Sequence, residues 1–275
     1  MLYYKDQNEV FNMQFKSIFL MIPMFFIVSC SNNNDSTTWS DLKVNFYNEF
    51  MPCQAGPDYS QASLSEMMEE WRNLITAEDL VGSWGYAPAS DTNSNNNGWW
   101  ELSWVSKESA DAGWEEWLAN QDAQAWAARY ESVLQCDGEE RVGAVFVWPR
   151  NPEGTFGEFP DNGTFSSAFF PCTFNEGKGE SDLENVLTEY NKWLDTLDSN
   201  AGAYAFGLYF PAFETETDMI WGNFHESVDT MKSGNESWEA SGGDAKELLE
   251  ATLSCDNPDL YNSRVLYDPT DPNFS

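Results

Sequence analysis

Met51-Pro52-Cys53 and Phe170-Pro171-Cys172 decide the fold, because they are one stretch met twice, 119 residues apart. Each is followed 83 residues later by a second Cys in a matching context, Cys136-Asp137 and Cys255-Asp256. The correspondence continues between these landmarks. Trp84-Gly85 aligns with Phe206-Gly207, and Pro88-Ala89 with Pro211-Ala212. Glu108-Ser109-Ala110-Asp111 aligns with Glu226-Ser227-Val228-Asp229, Trp117 with Trp238, and Arg141-Val142 with Arg264-Val265. The spacing drifts by a few residues, as small loop insertions require. The chain therefore reads as an internal duplication. A first repeat is expected over 41–150, a Gly- and Pro-rich joining segment over 151–163, and a second repeat over 164–275.

Each repeat reads β-α-β-β-α-β. In the first, Leu42, Val44 and Phe46 alternate with Lys43, Asn45 and Tyr47, the period of a half-buried strand. Leu64, Met67, Met68, Trp71, Leu74 and Ile75 then recur at helical spacing, with Ser63 and Glu66 as the expected capping box. Strands are expected at 81–87 and 99–105, a helical region broken near Asn120 over 108–134, and a last strand at 142–148. The second repeat follows suit, with a strand near 165–170 and a helix stripe from Leu183 to Leu197 opened by Ser181 and Glu184. Strands at 204–210 and 219–224 follow, then helix to Leu253 and a short strand at 265–267.

This order is the split βαβ, ferredoxin-like unit, an α+β class. A tandem pair of them resembles the dimeric α+β barrel superfamily, with both halves on one chain. That resemblance implies two sheets facing each other and a ligand pocket between a sheet and its covering elements. Members of the superfamily include cofactor-free monooxygenases, haem enzymes, isomerases and proteins without known activity. Four Cys allow three pairings. The duplication favours Cys53–Cys136 and Cys172–Cys255, and the fold brings the end of each first strand beside the start of the last. Each bridge would contribute about 4 kcal/mol by closing a long loop. Four reduced, buried thiols are the alternative.

The fifth Cys lies apart. Residues 16–30 read KSIFLMIPMFFIVSC, a basic residue followed by an apolar run too short to span a bilayer. Its end, Ile27-Val28-Ser29-Cys30, resembles the lipobox of bacterial lipoproteins. The resemblance implies a signal peptide over 1–29 and lipid attachment at Cys30. It also implies a polar tether over 30–40 and a chain held at the cell envelope, with Ser31 pointing to the outer membrane. Met13 offers an alternative start with a compact basic segment. In such a compartment disulfides form readily.

Charge narrows the partners. The chain carries 46 acidic and 13 basic side chains, a formal net charge of −33. A surface so acidic repels phosphate backbones and anionic headgroups, which excludes nucleic acid and adhesion to lipid by charge. Hence the membrane is a partner through acyl chains alone. No phosphate loop, nucleophile elbow or close-spaced metal-ligand motif is present, and neither a metal nor a cofactor is expected.

The 13 Trp are the most unusual feature. Trp84, Tyr86, Trp100, Trp104, Tyr47 and Trp221 are the candidate ligand-binding residues. His225 is the sole His, a candidate catalytic residue that a haem-type reading would make an axial ligand, with a surface or helix-start His as the plainer alternative. Glu108, Asp111, Glu226 and Asp229 recur in both repeats as candidate acid/base carboxylates, although first-turn helix positions also favour acids. Arg141 and Arg264 recur as ion-pair or anion-binding candidates. The expected function is a non-catalytic envelope lipoprotein that binds a small molecule or an envelope partner through an aromatic-lined sheet groove. The alternative is a cofactor-independent enzyme of monooxygenase or isomerase type.

Overall fold

Strand alternation builds the architecture. Along β1 (Val44–Ala55), Phe46, Asn48 and Phe50 face one way while Tyr47, Glu49, Met51 and Cys53 face the other. Both faces are covered, and this single strand already belongs to two different cores. The computed structural model describes residues 44–275 apart from 95, 151–156 and 198–201. The expected signal segment, Cys30 and the tether lie outside the described residues, as does most of the joining segment.

The first half continues with α1 (Gln61–Arg72), β2 (Leu80–Pro88), β3 (Gly98–Trp104), α2 (Lys107–Ala119), α3 (Gln121–Tyr130), β4 (Leu134–Cys136) and β5 (Val142–Trp148). The second comprises β6 (Thr164–Phe174), α4 (Glu180–Leu194), β7 (Tyr204–Pro211), β8 (Met219–His225), α5 (Val228–Ser241), α6 (Gly243–Thr252), β9 (Leu253–Cys255) and β10 (Asp259–Tyr267). Within each half the sheet order is that of the ferredoxin-like unit, β5-β1-β3-β2 and β10-β6-β8-β7. The halves then join edge to edge. β5 pairs with β7, and β10 pairs with β2 as well as β6, so eight strands close into a barrel. The architecture is the dimeric α+β barrel on one chain. No helix among the described residues is long and apolar enough to cross a membrane.

Each half has an outer core under its helices. Leu64, Met67, Met68 and Trp71 of α1 pack on Trp100, Leu102 and Trp104. Leu183, Val186, Leu187 and Tyr190 of α4 pack on Phe206, Leu208 and Trp221. Asn120 breaks the first helical region as expected, because it ends α2 and its side chain accepts from Asp122 and Ala123 to cap α3. Two expected caps are displaced. α1 starts earlier, with Ser60 and Ser63 bonding reciprocally, and α4 starts at Gly179, whose amide donates to Asp182. β4 and β9 are three-residue ribbons outside the barrel. They set Cys136 opposite Cys53 and Cys255 opposite Cys172, and both pairs are bridged.

The barrel interior is filled rather than open. Phe50, Phe146, Phe169, Tyr209 and Phe224 interlock across it in edge-to-face and tilted pairs. At one side lies a buried carboxyl, Glu101, 1% exposed. It accepts from Asn48 Nδ2 at 2.6 Å and from the Tyr86 hydroxyl, and Tyr209 of the other half joins it. Asn48 in turn accepts from Ser103 at 2.8 Å. Burial outweighs these bonds and pushes Glu101 up to about 7.

Glu101 therefore keeps its proton in the fold up to about pH 7, whereas the unfolded chain releases it near the ordinary value of 4.5. Its stabilising contribution is full at low pH and is lost as pH rises from about 4.5 to about 7, by roughly 3 kcal/mol. Glu101→Gln keeps the shape without the titration. Urea denaturation at pH 4.5 and 8 should show wild type losing about that much relative to the variant; a constant difference would refute the assignment.

Candidate functional site

The residues expected to form one aromatic groove do not share a surface. Trp84 and Tyr86 stand opposite Glu101 and Trp99 and so face the barrel interior. Trp100 and Trp104 lie on the outer side of the first half, under the helices, with Tyr47 at their edge. Trp221 occupies the matching place in the second half. Alternation within strands separates the first group from the second, and the duplication separates the third. What the structure offers instead is one cavity per half, between sheet and helices.

The first-half cavity holds about 710 Å³, with Trp100, Trp104, Trp114, Trp117 and Trp126 among its walls. Behind it Glu49, 5% exposed, accepts from Trp104 Nε1 at 3.1 Å, Trp114 Nε1 at 2.6 Å and Arg141 Nε at 3.1 Å. Arg141 also lies 4.6 Å over the Trp114 ring. All of the groups that hold Glu49 are fixed, which makes this a structural clasp. Arg141 thus has the ion-pair role. Arg264 donates to Gln61 at 3.2 Å, and its Nε has no partner among the described residues.

The second-half cavity holds about 650 Å³ and contains His225. The register explains its placement. His225 pairs with Ser166 as Trp104 pairs with Tyr47, so the counterpart of His225 is Trp104, not Lys107 as the helix alignment suggests. In both halves a glycine of the following helix makes room for that ring. A Cβ on Gly113 would come within 2.5 Å of Trp104, and one on Gly234 within 3.0 Å of His225. The imidazole is 5% exposed and lies 4.7 Å from the Tyr204 ring. Burial pushes it down to about 4, so it is neutral at physiological pH. Neither ring nitrogen hydrogen-bonds to a described residue, which leaves a lone pair facing the cavity.

Asn223 stands two residues earlier on the same face of β8 and lines the same cavity. Its Oδ1 accepts from Tyr204 at 2.8 Å and from Trp221 Nε1 at 3.0 Å. Because Tyr204 donates there, the 2.7 Å contact between the two hydroxyls has Tyr190 donating to Tyr204. Burial holds both tyrosines well above their ordinary value, so they remain protonated donors. The amide orientation is fixed by its two donors, and Nδ2 has no partner among the described residues. A lone pair and a free N–H pair thus converge in one pocket. Sequence reasoning had singled out His225 but not Asn223, whose only signal was its place two residues away on an aromatic strand.

The recurring carboxylates lie elsewhere. Glu108, Asp111 and Asp229 are exposed at helix starts, with Asp111 paired to Lys107 at 2.7 Å. Glu226 accepts from the Ala203 amide at 3.2 Å. No three His, Cys, Asp or Glu side chains gather as a metal site among the described residues. A haem can be tested against the second cavity. His225 could supply an axial nitrogen, but Glu239, Glu250 and Asp256 line the cavity and no Lys or Arg does. Two haem propionates would meet three carboxylates, and Lys246 beside them is already held by Glu239, so these residues do not fit the group.

Fold and site together define a one-chain dimeric α+β barrel with a polar, histidine-bearing cavity in its second half. No family model matches the chain, and no curated protein is similar to it in sequence. Solved structures do share the architecture. A protein provisionally assigned as a chlorite dismutase is 11% identical, with a TM-score of 0.50 over 81% of this chain and 95% of the other. A variant of chlorite dismutase from Candidatus Nitrospira defluvii is 10% identical, at 0.48 over 80% and 92%. A provisionally assigned monooxygenase from Lactobacillus acidophilus is 8% identical, at 0.44 over 81% and 94%. Such likeness carries the fold alone. Still, the expectation of a non-catalytic binding module is corrected. Its aromatic residues are split between the barrel interior and the two outer cavities, and the second of these cavities gathers a histidine and an amide instead.

The sole His makes the site directly observable. In an NMR titration of the imidazole resonances, His225 should titrate with a midpoint of about 4. A midpoint near the ordinary 6.5 would mean a solvated ring and no buried site.

Proposed function

We propose that the chain is an enzyme of the dimeric α+β barrel type that removes an activated proton from a small organic substrate in the second-half cavity. One observation carries the reading: the free lone pair of His225 and the free Nδ2 donors of Asn223 share one face of β8 and one cavity. His225 accepts the proton from a C–H or O–H, and the electron pair moves onto the adjoining carbonyl or aryl oxygen. Asn223 donates to that oxygen as its charge develops. Return of the proton to another atom completes an isomerisation. Transfer of electrons from the carbanion to dioxygen, with one oxygen atom retained and the other leaving as water, completes an oxygenation. The burial that keeps His225 neutral also makes it a weak base, so only an already acidic proton is within reach.

The test is turnover of enolisable ketones and hydroquinones, read as dioxygen uptake and as deuterium incorporation from solvent. His225→Gln should lower kcat by about 100-fold or more. Asn223→Asp keeps the acceptor oxygens but removes the donors, and should cost about as much. No turnover by wild type across the panel, or wild-type rates in His225→Gln, would sink the proposal.

For the cell we propose a lipoprotein anchored through Cys30, in the envelope and facing an oxidising compartment. The lipobox-like Ile27-Val28-Ser29-Cys30 supports the anchor, and the two disulfides support the compartment. Cys30→Ser should move the chain from the membrane fraction to the soluble fraction; continued sedimentation with membranes would count against lipidation.

A further inference from the structure

The chemistry that makes the second-half cavity unsuitable for an anionic cofactor is also positive information about its ligand. Tyr190, Trp193, Tyr204, Trp221 and Trp238 supply aromatic faces. Trp238 meets Trp193 at 4.8 Å and Tyr190 at 5.2 Å, both edge to face, so the three rings form one packed aromatic wall of the cavity. Three carboxylates, Glu239, Glu250 and Asp256, line the same cavity. Glu239 is paired with Lys246, whose charge also acts on Glu250, whereas Asp256 has no ion-pair partner among the described residues. No Lys or Arg lines the space.

The first-half cavity repeats the combination. Its indole walls are accompanied by Glu116, Glu131, Asp137 and Glu140, again with no Lys or Arg lining it. The third-strand position that is His in one half is Trp in the other, so the duplication has changed the reacting group. Aromatic walls with carboxylates have survived. Ring faces carry negative electrostatic potential and attract cations, more strongly where the cation is desolvated. Carboxylates at the exposed rim of a cavity raise the local concentration of positive ligands, an attraction that salt screens. The net charge of −33 adds to that field.

We infer that the second-half cavity takes an organic cation, a substrate carrying a quaternary or otherwise permanently charged ammonium group beside the reacting part. This rests on the cavity being the site proposed above, but not on His225 acting as its base. The ammonium lies against the wall of Tyr190, Trp193 and Trp238, toward Glu250 and Asp256, and leaves the reacting part to His225 and Asn223.

Benzyltrimethylammonium, its uncharged isostere neopentylbenzene and the anion phenylacetate provide the probes. Binding to the full mature chain is measured by calorimetry, with the His225 imidazole resonance as the reporter of place. The cation should bind at least tenfold more tightly than the isostere, shift the His225 resonance and weaken as salt is raised. Phenylacetate should not bind. Glu250→Gln/Asp256→Asn, two partly or fully exposed changes that spare the core, should lower cation affinity severalfold. Trp238→Leu should lower it further. Equal affinity for the isostere, tighter binding of phenylacetate, or cation binding that leaves the His225 resonance unmoved would each overturn the inference. Cation binding in a chain without turnover would overturn the base role and leave the ligand class standing. His225-dependent turnover of neutral substrates alone would do the reverse.

Discussion

Two strand pairings between the halves control the molecule. β5 against β7 and β10 against β2 turn two open four-stranded sheets into one closed barrel. Closure removes the unpaired edges that each half would otherwise present. It also creates an interior that neither half could build alone, in which Phe50 and Tyr86 of one repeat meet Phe169 and Tyr209 of the other. That interior is filled, and the cavity of each half lies on the outer face, between sheet and helices.

The duplication placed the same scaffold around two such spaces, and the sequences then diverged at a few positions. At the end of the third strand one half keeps Trp104, tied to Glu49, while the other has His225 with its nitrogens free. Two residues earlier, Leu102 corresponds to Asn223 by the same register. An apolar pair in one half thus stands where the other has a polar pair on the same strand face. The helices did not need to change, since a glycine already accommodated the ring in both halves.

The sequence showed the repeat, the element order and the cysteine pairing, because each is a matter of spacing. Leu183, Val186, Leu187 and Tyr190 could be read as one buried stripe and are one. Features set by long-range contact were hidden. β4 and β9 are too short to show a period, and their existence depends on pairing with β1 and β6. Only the end of β10 was legible, since Asn262, Ser263 and Arg264 look like a loop; yet Ser263 is buried in the barrel against Ser167 at 2.7 Å. Glu101 on an otherwise aromatic strand looks like a solvent-facing residue, and nothing nearby in sequence announces that the opposite half supplies Tyr209. Asn223 likewise becomes notable only once Tyr204 and Trp221 occupy its oxygen.

The position of β10 between β2 and β6 carries a last consequence, for the order in which the molecule can be made. As the chain emerges from its amino end, the edge of β2 has no partner until residues 259–267 follow, after every other described strand has been made. Every shorter product has a broken ring with sticky rims, and contacts this distant in sequence form slowly. The tail strand therefore acts as a completeness check. A chain that stops early cannot seal itself and is left open to proteolysis or to pairing with its neighbours.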